Sequence, residues 1–278
     1  MGQLKCCHSG TTDRRLVGEG DFNVETGYHE LFRGLNTIVI SIVDRFGNVY
    51  EPVGRRERRP EPSVAAAVPD RLVQSKVEDI AYVVDGQWAI DGDTVKNLDI
   101  GYDRLLAVGD IDWTDYEVTV PITLHGIDPG GFEYPSSGPA VGIILRWPGH
   151  YDVDGTQPRW GFAPLGALGW YRFSENGSNR LVISDGQGLN SVADPNFDLE
   201  FDTTYMFKFA VQTETGVGHR YTLKVWKEGE PEQTATTLTD LHPLTDLTSG
   251  SVFIILAHHV EGERRRQDRS ISRRSTRW

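Results

Sequence analysis

Between residues 103 and 257 the apolar residues of this chain alternate or fall in short runs, and nowhere do they recur at helical spacing. Tyr205, Phe207, Phe209 and Val211 alternate with Met206, Lys208, Ala210 and Gln212, while Tyr221, Leu223 and Val225 alternate with Thr222, Lys224 and Trp226. Side chains of a strand point alternately to its two faces, so each of these segments has one buried and one wet face. Other strands are predicted at 80–84, 87–91, 104–108, 116–124, 141–147, 169–174, 180–184 and 251–258, rich in β-branched and aromatic residues and separated by Gly, Pro and Asp. Asp85-Gly86 reads as a two-residue hairpin turn joining the first two. About a dozen short strands without an amphipathic helix mean an all-β sandwich or barrel.

Outside this block the texture changes. Ile38, Ile40 and Ile42 alternate with Val39, Ser41 and Val43, and the run Asp44 to Asn48 supplies turn residues, so residues 31–49 read as a hairpin. Residues 52–77 hold Pro52, Pro60, Pro62, Pro69, the basic run Arg55 to Arg59 and Ala65 to Ala67, which is linker composition. The division predicted is 1–51 as a partial β segment, 52–77 as linker, 78–260 as the main domain and 261–278 as a disordered basic tail. That tail has seven arginines and almost no apolar residues, too little to offset the entropy of ordering it.

Composition removes several function classes. The chain carries 28 basic and 40 acidic residues, a net charge of −12, and its basic residues gather outside the main domain. A nucleic-acid binder would carry a basic face on its folded body, so no nucleic-acid partner is expected. No apolar run approaches the roughly 18 residues that a membrane helix needs, so no membrane span is expected. Residues 1–10 lack the apolar stretch of a signal peptide, so export would rely on a signal outside this sequence. The two cysteines, Cys6 and Cys7, are adjacent in a polar stretch and read as free thiols.

The segment Asp103-Arg-Leu-Leu-Ala-Val-Gly-Asp-Ile-Asp-Trp-Thr-Asp-Tyr-Glu-Val-Thr-Val-Pro-Ile122, followed by Val141-Gly-Ile-Ile-Leu-Arg-Trp147 and Gly169-Trp-Tyr-Arg-Phe173, resembles the laminin-G-like and concanavalin A-like jelly rolls of extracellular glycan-handling proteins. The resemblance implies a jelly-roll β-sandwich, a glycan or polysaccharide partner, and an extracellular or cell-surface location. Gly34 to Asn48 resembles the last hairpin of bacterial immunoglobulin-like modules, of which only a fragment is present. In jelly rolls of this kind a further C-terminal strand pairs near the first, and none is recognisable after Val260.

Three candidate sites follow. Asp110, Asp112 and Asp115 resemble in spacing the Glu-x-Asp-x-x-Glu strand of laminarinase-type glycoside hydrolases, with aspartates in both outer positions. Aspartate is one methylene shorter, and a retaining pair must lie about 5 Å apart. The competing reading makes Trp113 to Val118 the opening of a core strand, as in non-catalytic laminin-G-like domains, with Tyr116, Val118 and Val120 inward. The second candidate is a ligand edge of aromatic and planar polar groups, Arg146, Trp147, Tyr151, Asp152, Trp160 and Trp170, which suits sugar C–H faces and hydroxyls. Gly142 to Trp147 also resembles a strand of jelly rolls assigned to keto-disaccharide hydrolysis. The third is metal: no cofactor is expected unless calcium binds Asp152 and Asp154, or the pair Asp91 and Asp93, each of which also reads as a turn. His258 and His259 point to opposite faces of a strand and do not chelate together. Asn176-Gly-Ser178 fits the glycosylation pattern and a turn equally well. A non-catalytic carbohydrate-binding or adhesion module is the leading reading, with a glycoside hydrolase and a purely structural domain as alternatives.

Overall fold

A computed structural model describes residues 34–39, 42–43, 48–50, 53–58, 77, 80–101, 103–133, 138–149, 164–186, 191–243, 245–257, 260–265 and 271–273. The main domain is a jelly-roll β-sandwich. One sheet has seven strands, in the order β13 (Ser191–Asp194), β12 (Arg180–Asp185), β11 (Ala167–Arg172), β10 (Ala140–Trp147), β17 (Ser251–Ala257), β8 (Asp103–Val108) and β5 (Tyr82–Asp85). The other runs β16 (Thr236–His242), β15 (Gly218–Lys227), β14 (Thr204–Glu214), β9 (Tyr116–Ile127), β18 (Val260–Arg265), β7 (Thr94–Asn97) and β6 (Trp88–Asp91), with β19 (Ile271–Arg273) also beside β9. All pairings are antiparallel.

The core lies between the sheets and takes the inward set that the alternation predicts. Tyr116, Val118, Val120, Ile122 and Leu124 of β9 meet Tyr205, Phe207, Phe209 and Val211 of β14 and Tyr221, Leu223 and Val225 of β15. Val141, Ile143, Leu145, Tyr171, Ile183 and Ile254 face them from the seven-stranded sheet. Trp113 covers the end of this core, its ring 5.6 Å from that of Tyr116 in an edge-on arrangement. Gly109, at φ 93, leaves the space that the Trp113 ring fills. The seven-stranded sheet is apolar on its other face as well. Leu105, Ile144, Trp147, Leu168, Trp170, Val182, Phe253 and Ile255 form a second buried cluster there.

Three expectations need correction. Asp85-Gly86 does not close a hairpin: β5 pairs with β8 and β6 pairs with β7, so the chain crosses from one sheet to the other at this point. The reason is Arg104, whose stem occupies the space over Gly86 and whose guanidinium lies 2.5 Å from Asp99 and 3.8 Å from Asp85. The hairpin is β6–β7, turning through Gly92 at φ 59, which places Asp91 and Asp93 at a turn with Asp91 on Lys96 at 2.6 Å. Second, the stretch from 261 is not wholly unordered, because β18 is the C-terminal strand that jelly rolls place near the first, here between β9 and β7. Its inward position after Val260 is Gly262, where an added Cβ would lie 2.8 Å from Leu124, so the strand packs closely while showing no apolar alternation. Third, β4 (Val53–Arg58) pairs with β1 (Gly34–Val39), outside the short ladder of β2 (Ile42–Val43) and β3 (Val49–Tyr50), which extends the hairpin through Arg58 into the stretch assigned to the linker. Within the described residues this region is a hairpin only, short of the two sheets that an immunoglobulin-like module requires.

Candidate functional site

Two polar features share one end of the sandwich. The first is built around Arg146. Strand β10 shifts register against β17 between Ile144 and Trp147, and in that bulge Arg146 adopts φ 55. A left-handed non-glycine residue costs about 1–3 kcal/mol and persists only when its surroundings hold it. Here they do. The guanidinium is completely buried and donates to the Thr114 carbonyl at 3.2 Å, the Leu247 carbonyl at 2.7 Å, Asp115 Oδ1 at 3.1 Å and Thr213 Oγ1 at 3.0 Å. Its backbone N–H donates to Tyr116 Oη at 2.7 Å, and that hydroxyl donates in turn to the Gly250 carbonyl at 2.9 Å. Asp115 Oδ1 also accepts from Thr213 N at 2.9 Å and Thr213 Oγ1 at 2.8 Å. An added Cβ on Gly250 would overlap the Arg146 backbone, so the two segments meet only because residue 250 has no side chain.

Next to this network stand His219 and His242, cross-strand neighbours on β15 and β16, both buried. The His242 ring lies 4.6 Å from the Tyr221 ring, with Asp240 at 3.3 Å and Asp246 at 3.4 Å from its nitrogens. His219 Nδ1 is 3.3 Å from Thr213 Oγ1, and its Nε2 has no hydrogen-bond partner among the described residues. Burial, and then the positive charge of Arg146, push the His219 pKa below its usual value. Burial raises the Tyr221 hydroxyl to about 12, against the opposing pull of Arg146. These groups are shut inside the end of the sandwich, where they brace the bulge.

The second feature is on the outer, wet face of β9, β14 and β15. It is a hollow of about 250 Å³, lined by Glu117, Lys208, Ala210, Gln212, Arg220, Thr222, Lys224 and Glu232, with Tyr116 and Val211 behind it. Lys208 and Lys224 are directly opposed across β14 and β15, an arrangement that by itself repels. Glu232, from the 3-10 turn after β15, resolves it by lying 3.3 Å from Lys208 and 2.7 Å from Lys224. Lys208 also reaches Glu117 at 3.2 Å, and Arg220 pairs with Glu214. The hydrogen bond from Lys224 holds the Glu232 carboxyl below its usual pKa, and that from Arg220 does the same for Glu214. The sequence marked these positions as the wet alternates of β14 and β15 and did not single them out, because a hollow needs three strands side by side and the pairing is not visible in any one of them.

The residues singled out from sequence separate into groups. Arg146 and Asp115 come together in the buried network. Trp147 and Trp170 come together in the apolar layer on the other face of the seven-stranded sheet, Trp147 against Phe253 at 4.1 Å and Trp170 under the Arg172 guanidinium at 5.3 Å. Tyr151, Asp152, Asp154, Trp160, His258 and His259 lie outside the described residues. Asp110 and Asp112 sit in the turn before β9, with Asp110 Oδ1 accepting from Asp112 N at 3.2 Å, so neither stands on a strand as the hydrolase spacing presumes. Asn176 is in the exposed turn after β11, its Oδ1 accepting from Ser178 N at 3.0 Å. Among the described residues, no three His, Cys, Asp or Glu side chains are placed to hold a metal ion, and no helix is long and apolar enough to cross a membrane.

No protein-family model matches the chain, and no curated protein matches it. Among solved structures it is similar to the exoplasmic/lumenal domain of VIP36. The Ca2+-bound form is 12% identical with a TM-score of 0.40, covering 65% of this chain and 80% of that one. The form bound to Ca2+ and Man3GlcNAc is 12% identical with a TM-score of 0.42, covering 65% and 82%. It is also similar to the alginate lyase Aly36B, at 12% identity and a TM-score of 0.35, over 69% and 82%. Likeness at this level carries no residue across; the jelly-roll assignment stands on the sheet order itself.

Proposed function

We propose that the jelly roll is a non-catalytic carbohydrate-binding module of an extracellular or cell-surface protein. The observation that carries this reading is the hollow on the outer face of β9, β14 and β15. Its walls present a planar amide, a guanidinium, carboxylates and ammonium groups at one surface, the mixture of donors and acceptors that hydroxyl-rich ligands need. Every one of these groups stands on, or is held by, a strand of a packed sandwich, so the surface is preorganised and little ordering entropy is lost on binding. The connection from Trp147 to Leu165 leaves and rejoins the sandwich at the same end, and Tyr151, Asp152 and Trp160 within it are additional ligand candidates, with Asp152 and Asp154 as candidates for calcium.

A glycan array run with the full chain, with and without calcium, tests the reading. Binding without release of reducing sugar supports it. Release of reducing sugar that disappears in Asp110→Asn or Asp115→Asn would establish the hydrolase instead. Silence in both assays would leave a purely structural domain.

A further inference from the structure

We infer that the hollow takes an uncharged, linear sugar chain of about two units lying across the strands, and discriminates against acidic polymers. This rests on the carbohydrate-binding reading and specifies its ligand. The floor is one cross-strand row: Glu117 on β9 is paired with Ala210 on β14, and Ala210 with Thr222 on β15. Ala210 and Thr222, short side chains at the centre of the row, make the depression. The next row on one side is Lys208 and Lys224, raised and tied by Glu232; on the other it is Gln212 and Arg220. The depression therefore runs perpendicular to the strands. The three strands that line it span two inter-strand spacings, roughly 10 Å, which is room for about two sugar rings in a row and too long for one.

Charge sets the class of sugar. Among the described residues the hollow has three cations, Lys208, Lys224 and Arg220, and each has its carboxylate: Glu232 for both lysines, Glu117 for Lys208 and Glu214 for Arg220. Three positive and three negative charges leave no surplus for a uronate, sulfate or phosphate. An anionic ligand would have to displace a carboxylate already in contact, and the chain as a whole, at −12, repels it further. What the ion pairs leave over are ammonium and guanidinium hydrogens, carboxylate lone pairs and the Gln212 amide, which serve hydroxyl groups as donors and acceptors alike.

The test uses the full chain and, as probes, the best neutral sugar from an array as a series of one to six units, beside uronic acid oligomers of equal length. The inference predicts that affinity rises about tenfold or more from one unit to two and then levels, and that uronates bind at least about tenfold more weakly. Thr222→Trp, which fills the floor at a half-buried position on the outer face of β15, is predicted to weaken the neutral dimer about tenfold or more. Glu232→Gln, which removes one negative charge, is predicted to narrow the gap between uronate and neutral chains. Tighter binding of uronates than of neutral chains, affinity independent of length, or full affinity in a folded Thr222→Trp protein would each overturn the inference while leaving carbohydrate binding in place. Absence of binding to every sugar would overturn both.

Discussion

Replacing Tyr116 by Phe isolates the hydroxyl on which the strained bulge depends. The ring is 1% exposed and its packing survives the change. What is lost is an acceptor for Arg146 N–H at 2.7 Å and a donor to the Gly250 carbonyl at 2.9 Å, both in the interior. A buried donor left without a partner costs about 1–3 kcal/mol, and the second bond is worth about 0.5–1.5 kcal/mol. The sum, about 1.5–4.5 kcal/mol, falls on a domain whose whole net stability is about 5–15 kcal/mol. For a domain of this size each kcal/mol moves the melting temperature by about 2–4 °C, so the variant should melt roughly 3–18 °C lower. Tyr116→Ala removes the ring too and should cost at least the 3–5 kcal/mol typical of large core aromatics. Thermal melts followed by near-ultraviolet circular dichroism, with urea titrations to check that the slope is unchanged, measure both. A Phe variant within about 0.5 kcal/mol of the parent, less than one ordinary hydrogen bond, would refute the claim that this hydroxyl holds the bulge.

Three further outcomes follow from the same end of the sandwich. Asp115→Ala leaves the buried Arg146 charge without its anion and should cost about 1–3 kcal/mol, less than a fully buried broken pair because Asp115 is part-exposed, read from the urea midpoint. Gly250→Ala places a Cβ against the Arg146 backbone and should destabilise by at least about 1–3 kcal/mol on the same measurement. His219 has its pKa lowered by folding, so below its ordinary value of 6.5 the unfolded chain binds a proton that the folded one refuses. Stability should accordingly fall as pH drops below about 6.5, and His219→Gln should flatten that slope in melts taken between pH 7 and 5.

Strands whose two faces differ in polarity were legible in the sequence. The inward sets of β14 and β15 follow from period-two alternation, while the inward set of β9, with Tyr116 buried beside Trp113, follows from the resemblance to laminin-G-like core strands. Where the alternation is hidden, the strand was missed: β18 places Gly262 where an apolar residue would have shown, and its other positions after Val260 are charged. Asp85-Gly86 has the composition of a hairpin turn, but the two flanking strands pair into different sheets, with Arg104 packed on Gly86 at the crossing, and neither the pairing nor that contact is visible in the local sequence. Arg146 was legible as a polar residue of the candidate ligand edge, but its buried partners Thr213 and Leu247 are 67 and 101 residues away, beyond reach of any local pattern. The hollow was illegible for the same reason. Lys208 and Lys224 look like an ordinary solvated face until strand pairing sets them opposite one another and Glu232 between them.

Lysine footprinting tests the placement of the ligand most directly. The full chain, saturated with the tightest sugar found on the array, is treated with an amine-reactive reagent and digested, and labelling is read by mass spectrometry against the sugar-free protein. The account predicts that Lys208 and Lys224 lose label while Lys96 and Lys227, which lie outside the hollow, keep it. Unchanged labelling of Lys208 and Lys224 at saturation would contradict it and place the ligand elsewhere on the sandwich.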